Sequence, residues 1–176
     1  SRDPSNNEKS PLNLELEWKM ELEERISRLE SKVESLENKD AIRSLLSSYA
    51  VAVDGKDRLL LEKTFALDAW ISIPEWDVDV SGREGVLEFY DDYWARFDNP
   101  RRYFANESFE IDAGNAKVFM YWHVTQENDG ESWLGWGTYE WSFIKTDRQW
   151  QIAGVIIDIL AMTTLKKGWA GPEKIF

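Results

Sequence analysis

The chain has 176 residues, 43% of them hydrophobic, and a net charge of −12; that is enough apolar material for one domain with a real core. The acidic balance excludes a basic surface for nucleic acid or an anionic membrane, and no apolar run reaches the ~20 residues needed to cross a bilayer. Zero cysteines exclude disulfides, thiolate zinc sites and a cysteine nucleophile, and fit a cytoplasmic protein, the compartment expected here.

Residues 1–12 are polar, carry Pro4 and Pro11, and read as a disordered tail. Over residues 13–38, Leu22, Ile26, Leu29, Val33 and Leu36 recur at steps of 4-3-4-3, which predicts an amphipathic helix with a narrow apolar stripe. Two heptads are few for a stand-alone coiled coil, so the stripe is expected to pack on the domain or on a second subunit. Asn38, Lys39 and Asp40 read as an interruption, with Asp40 capping a second helix over 41–53 whose apolar face holds Ile42, Leu45, Leu46 and Tyr49. A helix follows over 57–65, then a strand over 69–73 ended by Pro74. Val86, Phe89, Tyr90, Tyr93, Trp94 and Phe97 predict a helix over 82–97, closed by Asn99-Pro100. Strands are predicted over 101–111, 116–126, 133–145 and 150–159, with turn signals at Asn128-Asp129-Gly130 and Thr146-Asp147-Arg148. Helices first and antiparallel strands after give an α+β domain over 39–160, one curved sheet packed on N-terminal helices. Residues 161–176, with Gly168, Trp169, Gly171 and Pro172, read either as a lid or as a docked terminus.

The candidate chemistry starts at Asp54, which follows Val51, Ala52 and Val53 and precedes Gly55. Loss of hydration makes a carboxylate a better proton acceptor, so Asp54 is a candidate base, against the ordinary reading of Asp-Gly as a solvated turn. His123 is the only histidine. Period two puts it on one face with Phe119, Tyr121 and Thr125, a mixed aromatic and polar set expected to form a pocket wall, while Met120, Trp122 and Val124 share the other face. Tyr49 is placed to hydrogen-bond a substrate oxygen or to pack in its helix. Arg102 either binds an anionic substrate group or faces solvent, Asn106 is a further polar pocket candidate, and Lys56 and Glu140 are expected at the surface. Ten Trp, eight Phe and six Tyr supply pocket linings, Trp94 among them. No His/Asp/Glu spacing fits a metal site and no Gly-rich phosphate loop occurs, so no cofactor is expected.

The run Tyr49-x4-Asp54-Gly55-Lys56, the turn and Trp at 146–150, and Gly137-Thr138-Tyr139 resemble the SnoaL-like branch of the nuclear-transport-factor-2-like superfamily over 42–159. The likeness is greatest to a group containing bile acid 7α-dehydratase, scytalone dehydratase and hexachlorocyclohexane dehydrochlorinase. The resemblance implies a cone-shaped domain around an apolar cavity. It also implies a catalytic pair of an Asp, at Asp54, and a His early in the first long strand, with a Tyr at Tyr49 activating a leaving oxygen. This sequence departs from the pattern. The His position aligns with Tyr103, or with Arg102 after a one-residue slip.

The expected function is therefore a cofactor-independent lyase or isomerase acting on a hydrophobic aromatic or polycyclic substrate. Asp54 or His123 would remove a proton, and Tyr49 and Tyr103 would hold the oxyanion or departing oxygen. Elimination of water comes first; retro-aldol cleavage, double-bond isomerisation and ring closure remain open to the same groups. The alternatives are a non-catalytic apolar-ligand-binding or oligomerisation module, and a small subunit docked through the 22–36 helix. A homodimer is expected through the open face of the sheet, as the resemblance implies.

Overall fold

The structure, a computed structural model, describes residues 10–169; residues 1–9 of the tail expected over 1–12 and residues 170–176 of the expected lid lie outside the described residues, while Pro11 and Leu12 of that tail belong to a helix. It divides into two units, residues 1–40 and 41–176.

The elements in chain order are α1 (Pro11–Asp54), α2 (Arg58–Thr64), β1 (Phe65–Ile73), a 3₁₀ turn (Pro74–Trp76), β2 (Val78–Ser81), α3 (Arg83–Arg96), β3 (Asp98–Asp112), β4 (Asn115–Asn128), β5 (Glu131–Thr146) and β6 (Gln149–Thr164). The interruption expected at Asn38 to Asp40 is absent, because α1 runs unbroken for 44 residues. Asn, Lys and Asp each cost at most about 0.7 kcal/mol relative to Ala in a helix, and neither Gly nor Pro occurs between Pro11 and Gly55. Within the first unit, Leu22, Ile26, Leu29, Val33 and Leu36 are all exposed. No helix of the described residues is long and apolar enough to cross a membrane.

In the second unit, the α1 residues Ile42, Leu46, Tyr49 and Val53 are buried at four-, three- and four-residue steps, one stripe of a 3.6-residue helix. Asp57 caps α2 by accepting from the Leu60 amide at 3.0 Å. The six strands form one sheet in the order β2-β1-β6-β5-β4-β3. All neighbours are antiparallel except β1 and β6, which run parallel. The expected antiparallel run is present in β3 to β6, and the parallel β1–β6 pair makes the whole sheet mixed. The two strands are far apart in sequence and can meet in parallel only through a long connection, which the other strands and α3 supply.

The core lies on one face of the sheet. Met120, Trp122 and Val124 of β4, Tyr139, Trp141 and Phe143 of β5, and Ile152, Val155, Ile157 and Ile159 of β6 bury there against α1 and the Val86, Leu87 and Tyr90 face of α3. Each such side chain contributes about 1.5–3 kcal/mol on full burial. Bulges bend the sheet at Trp136/Gly137 opposite Ile159 and Ala161 and between Ala105 and Ser108. Gly137 is required at the first: a Cβ there would overlap the Asp158 carbonyl and the Trp122 ring. β6 continues to Thr164, so residues 161–164 complete a strand instead of opening a lid.

Candidate functional site

α1 ends on a carboxylate at the wrong end of its dipole. Its last residue, Asp54, faces the negative C-terminal pole, so it needs a cation nearby. β3 supplies one. Arg102 Nε donates to Asp54 Oδ1 at 2.6 Å, and the Arg102 backbone N–H donates to Oδ2 at 2.9 Å. The Arg102 side chain is only 4% exposed and that of Asp54 16%, so this is a buried, charge-assisted pair.

Beyond Asp54, the guanidinium stands among phenols. Its two terminal nitrogens each reach one hydroxyl oxygen, Tyr49 and Tyr93, both at 3.4 Å, the weak limit of a hydrogen bond. The Tyr93 hydroxyl donates to Gln126 Oε1 at 2.6 Å, and the Tyr49 and Tyr90 hydroxyls are hydrogen-bonded to each other at 2.6 Å. The guanidinium carbon also sits 5.8 Å from the ring centres of Tyr49 and of Tyr93, within cation–π range. The four N–H groups of the two terminal nitrogens thus make only two long contacts.

These nitrogens face a cavity of about 60 Å³. Its polar lining is Arg102, Tyr49, Tyr90, Tyr93, Gln126 and Tyr139, and its apolar lining includes Trp76, Phe89, Trp122, Ile157 and Met162. Neither a carboxylate nor a histidine lines it. Burial pushes the Tyr49 and Tyr139 phenols well above the ordinary tyrosine value and raises those of Tyr90 and Tyr93, so all four stay protonated and act as donors. Burial opposes the charge on Arg102, but the phenol oxygens and Asp54 outweigh it and hold its pKa well above the usual arginine value. The phenols are neutral at pH 7, so the counter-charge that balances the cation is Asp54. A fixed positive charge with hydroxyl donors in an apolar enclosure is suited to a developing oxyanion.

A model of the SnoaL-like domain matches residues 34–155, more than half of the chain. The chain belongs to the SnoaL-like domain family. Solved structures agree with this assignment at the level of fold. A hexachlorocyclohexane dehydrochlorinase, LinA type 2, superposes with a TM-score of 0.72 at 20% identity, covering 82% of this chain and 99% of that one. A scytalone dehydratase candidate from Novosphingobium aromaticivorans gives 0.68 at 17% identity, covering 80% and 95%. A protein of unknown function from Mycobacterium tuberculosis gives 0.66 at 21% identity, covering 73% and 75%. A comparison with curated proteins finds no match.

In this SnoaL-like chain Asp54, Tyr49 and Arg102 converge, and several other expected residues do not join them. Arg102, the alignment reached by the one-residue slip, is the residue beside Asp54. Tyr103 is 65% exposed and pairs with His123 on the neighbouring strand. His123, Phe119, Tyr121 and Thr125 alternate as expected, but on the exposed face; the cavity side of β4 is Trp122, Val124 and Gln126. The expected pocket wall is therefore corrected to the opposite face. The more apolar set, Ala116 through Val124, takes the core, and Lys117 and Glu127 mark the other side as solvent-facing. Asn106 is exposed, with φ 60°, in the β3 bulge, a left-handed position that Asn tolerates. Trp94 does not line the cavity; its indole N–H donates to the Val53 carbonyl at 2.8 Å and closes the end of α1. Of the two alternatives for Arg102, burial removes the solvent-facing one. The sequence reading missed Tyr90, Tyr93, Tyr139 and Gln126. Tyrosines on faces that apolar periodicity assigns to the core were the available signal, since each buried hydroxyl needs a partner.

Proposed function

We propose that this SnoaL-like protein is a cofactor-independent lyase that eliminates water from a small, apolar β-hydroxy carbonyl compound. The observation that carries the reading is the buried Arg102 guanidinium, balanced by Asp54 and turned with under-used N–H groups toward a phenol-lined cavity. Such groups stabilise a negative oxygen more than a neutral carbonyl, which is the differential binding a catalyst needs.

The chemistry follows from the parts. Asp54 is the one carboxylate bonded to the cluster. Two of its roughly four lone-pair sites are filled. It stands behind Arg102, outside the cavity lining, and keeps 16% exposure, so the substrate must reach past the guanidinium to give it the proton from the carbon beside the carbonyl. The electron pair moves to the carbonyl oxygen, and Arg102 holds the enolate. The enolate collapses, the β-hydroxyl departs and takes the Tyr49 proton, and the proton on Asp54 returns to the phenolate. The net change is loss of one water. The cavity of about 60 Å³ is smaller than the roughly 150 Å³ that takes one benzene ring, so it favours a small compound over a fused polycycle. The names of two structural neighbours, a dehydrochlorinase and a scytalone dehydratase candidate, support elimination over retro-aldol cleavage or isomerisation.

The test is a panel of small β-hydroxy ketones, acyclic and cyclic, followed by ultraviolet absorbance of the enone product. Asp54→Asn and Arg102→Gln are expected to lower kcat at least a hundredfold, and Tyr49→Phe about tenfold or more. Unchanged turnover in Asp54→Asn removes its role as base. One observation favours a second reading, a non-catalytic ligand-binding module: both Asp54 oxygens are engaged by Arg102, as in a structural ion pair. Ligand binding by tryptophan fluorescence with no turnover of any panel member establishes that reading instead. Pairing of two copies through the outer sheet face remains part of the proposal, supported by exposed Tyr103, Phe119, Tyr121 and Leu160.

A further inference from the structure

We infer that residues 22–37 of α1 pair with the same segment of a second copy of this chain as a parallel, in-register two-stranded coiled coil. The argument starts from the steps of the exposed stripe. Leu22, Leu29 and Leu36 occupy one heptad position and Ile26 and Val33 the other. With Leu22 at d, the a positions are Ile26 and Val33 and the d positions are all Leu. β-Branched residues at a with Leu at d select two parallel strands over three or four. All five side chains are 41–65% exposed within the chain, an apolar seam for which a helix otherwise has no use.

The flanking charges fix the orientation. The e positions are Glu23, Glu30 and Glu37, and the g positions are Arg25 and Lys32. In a parallel pair, g of one helix faces e of the next heptad on the other, so Arg25 meets the second copy's Glu30, and Lys32 meets its Glu37, twice over by symmetry. In an antiparallel pair, g faces g and e faces e, which places Arg and Lys against each other and Glu against Glu. Unlike charges therefore meet only in the parallel arrangement. Toward the N-terminus the next a and d positions are Lys19 and Glu15, so the apolar seam begins at Leu22. The shortness of the seam is offset by the helix itself. α1 is a single element whose later residues Ile42, Leu46 and Tyr49 are buried in the domain core, so the costly helical nucleus is already formed.

The chain has no cysteine, which permits a position-specific test on the full-length protein. Leu22→Cys, Leu36→Cys and Ser31→Cys, the last at the outward f position, are each exposed to mild oxidant and resolved on a non-reducing gel. The expected result is a disulfide-linked dimer from Leu22→Cys alone and from Leu36→Cys alone, and little from Ser31→Cys. Charge reversal by Glu30→Lys with Glu37→Lys is expected to lower that yield severalfold, and adding Arg25→Glu with Lys32→Glu to restore it. Cross-linking only between Leu22→Cys and Leu36→Cys chains shows an antiparallel pair and overturns the proposal. Equal yields at all three positions, or none at Leu22 and Leu36, overturn it as well. A dimer formed only through the sheet leaves the Leu22 and Leu36 sites unlinked, so the outcome is independent of the sheet contact and of the proposed enzyme activity.

Discussion

The two faces of strands β3 and β4 carry opposite chemistry within the same few residues. On the inner face, Arg102 is buried against Asp54 and joined by Trp122, Val124 and Gln126 at the cavity. On the outer face, one residue along each strand, Tyr103 and His123 pair side by side in solvent. An exposed imidazole or phenol keeps water as its partner. A buried guanidinium has to find a counter-charge, and Arg102 finds it 48 residues earlier in the chain. The comparison teaches that face decides the value of a residue here more than residue type does: the only histidine lies outside the cavity, and the cavity is built on an arginine and four tyrosines.

Removing the inner cation is the largest perturbation. Arg102→Met leaves the Asp54 carboxylate without its partner and is expected to cost about 3 kcal/mol, the low end for a broken buried pair because Asp54 keeps some solvent contact. His123→Ala, on the outer face, is expected to change stability by less than about 0.5 kcal/mol. Urea unfolding measures both, and equal losses would erase the distinction between the faces. Next in size is the buried hydroxyl pair. Tyr49→Phe leaves the Tyr90 hydroxyl without its 2.6 Å partner and is expected to cost about 1–2 kcal/mol, against a near-neutral Tyr121→Phe.

The buried phenols also set an alkaline limit. An unfolded tyrosine releases its proton near pH 10, whereas burial raises Tyr49, Tyr90, Tyr93 and Tyr139 above that. Between those values the native state binds more protons than the unfolded state, so their contribution is intact below about pH 10 and is lost as pH rises through the raised values. Tyrosinate absorbance is expected to show these phenols ionising only with unfolding; ionisation of all tyrosines in the native protein near pH 10 would mean the cluster is open to water. The smallest effect belongs to the surface. Glu107 is held below the usual glutamate value by its own backbone amide and by Arg43, which donates to it at 2.9 Å. That stability is present at neutral pH and is lost as pH falls below the ordinary glutamate value of about 4.3. Glu107→Gln is expected to cost no more than about 0.5 kcal/mol at pH 7 and nothing in acid, read from paired unfolding curves.

Local pattern made much of the fold legible. β4 follows period two along its whole length, and the Asp129-Gly130 turn has positive φ at both residues, 51° and 75°, the hairpin geometry that Asp-Gly favours. Asp54 and Tyr49 were legible because both lie at the end of one buried stripe. The inner face of β4 was misread because its aromatic and polar set was weighed by chemistry; Lys117 and Glu127 at the ends of the strand already marked it as solvent-facing. Arg102 was legible as a polar candidate, but its pairing with Asp54 was not, since the partner comes from α1 and no local pattern relates the two. The β3 bulge adds to the difficulty. Arg102 and Phe104 face inward before it, Phe109 and Ile111 after it, so a strict alternation fails midway along the strand.

The sheet's one parallel pair has a kinetic consequence. β3 to β6 are joined by two-residue turns, so their pairing is local and closes quickly, whereas β1 waits for a partner more than seventy residues away. Trp122, Val124, Tyr139 and Ile157 belong to these hairpins, whereas Tyr49, Ile73, Tyr90 and Tyr93 belong to the N-terminal segment, which is expected to dock after them. The cavity is then completed at the final folding step, and a ligand recognises only chains that have reached it. Pulsed hydrogen exchange is expected to protect the β4–β5–β6 amides before those of β1, and the reverse order would put the parallel pair in the folding nucleus.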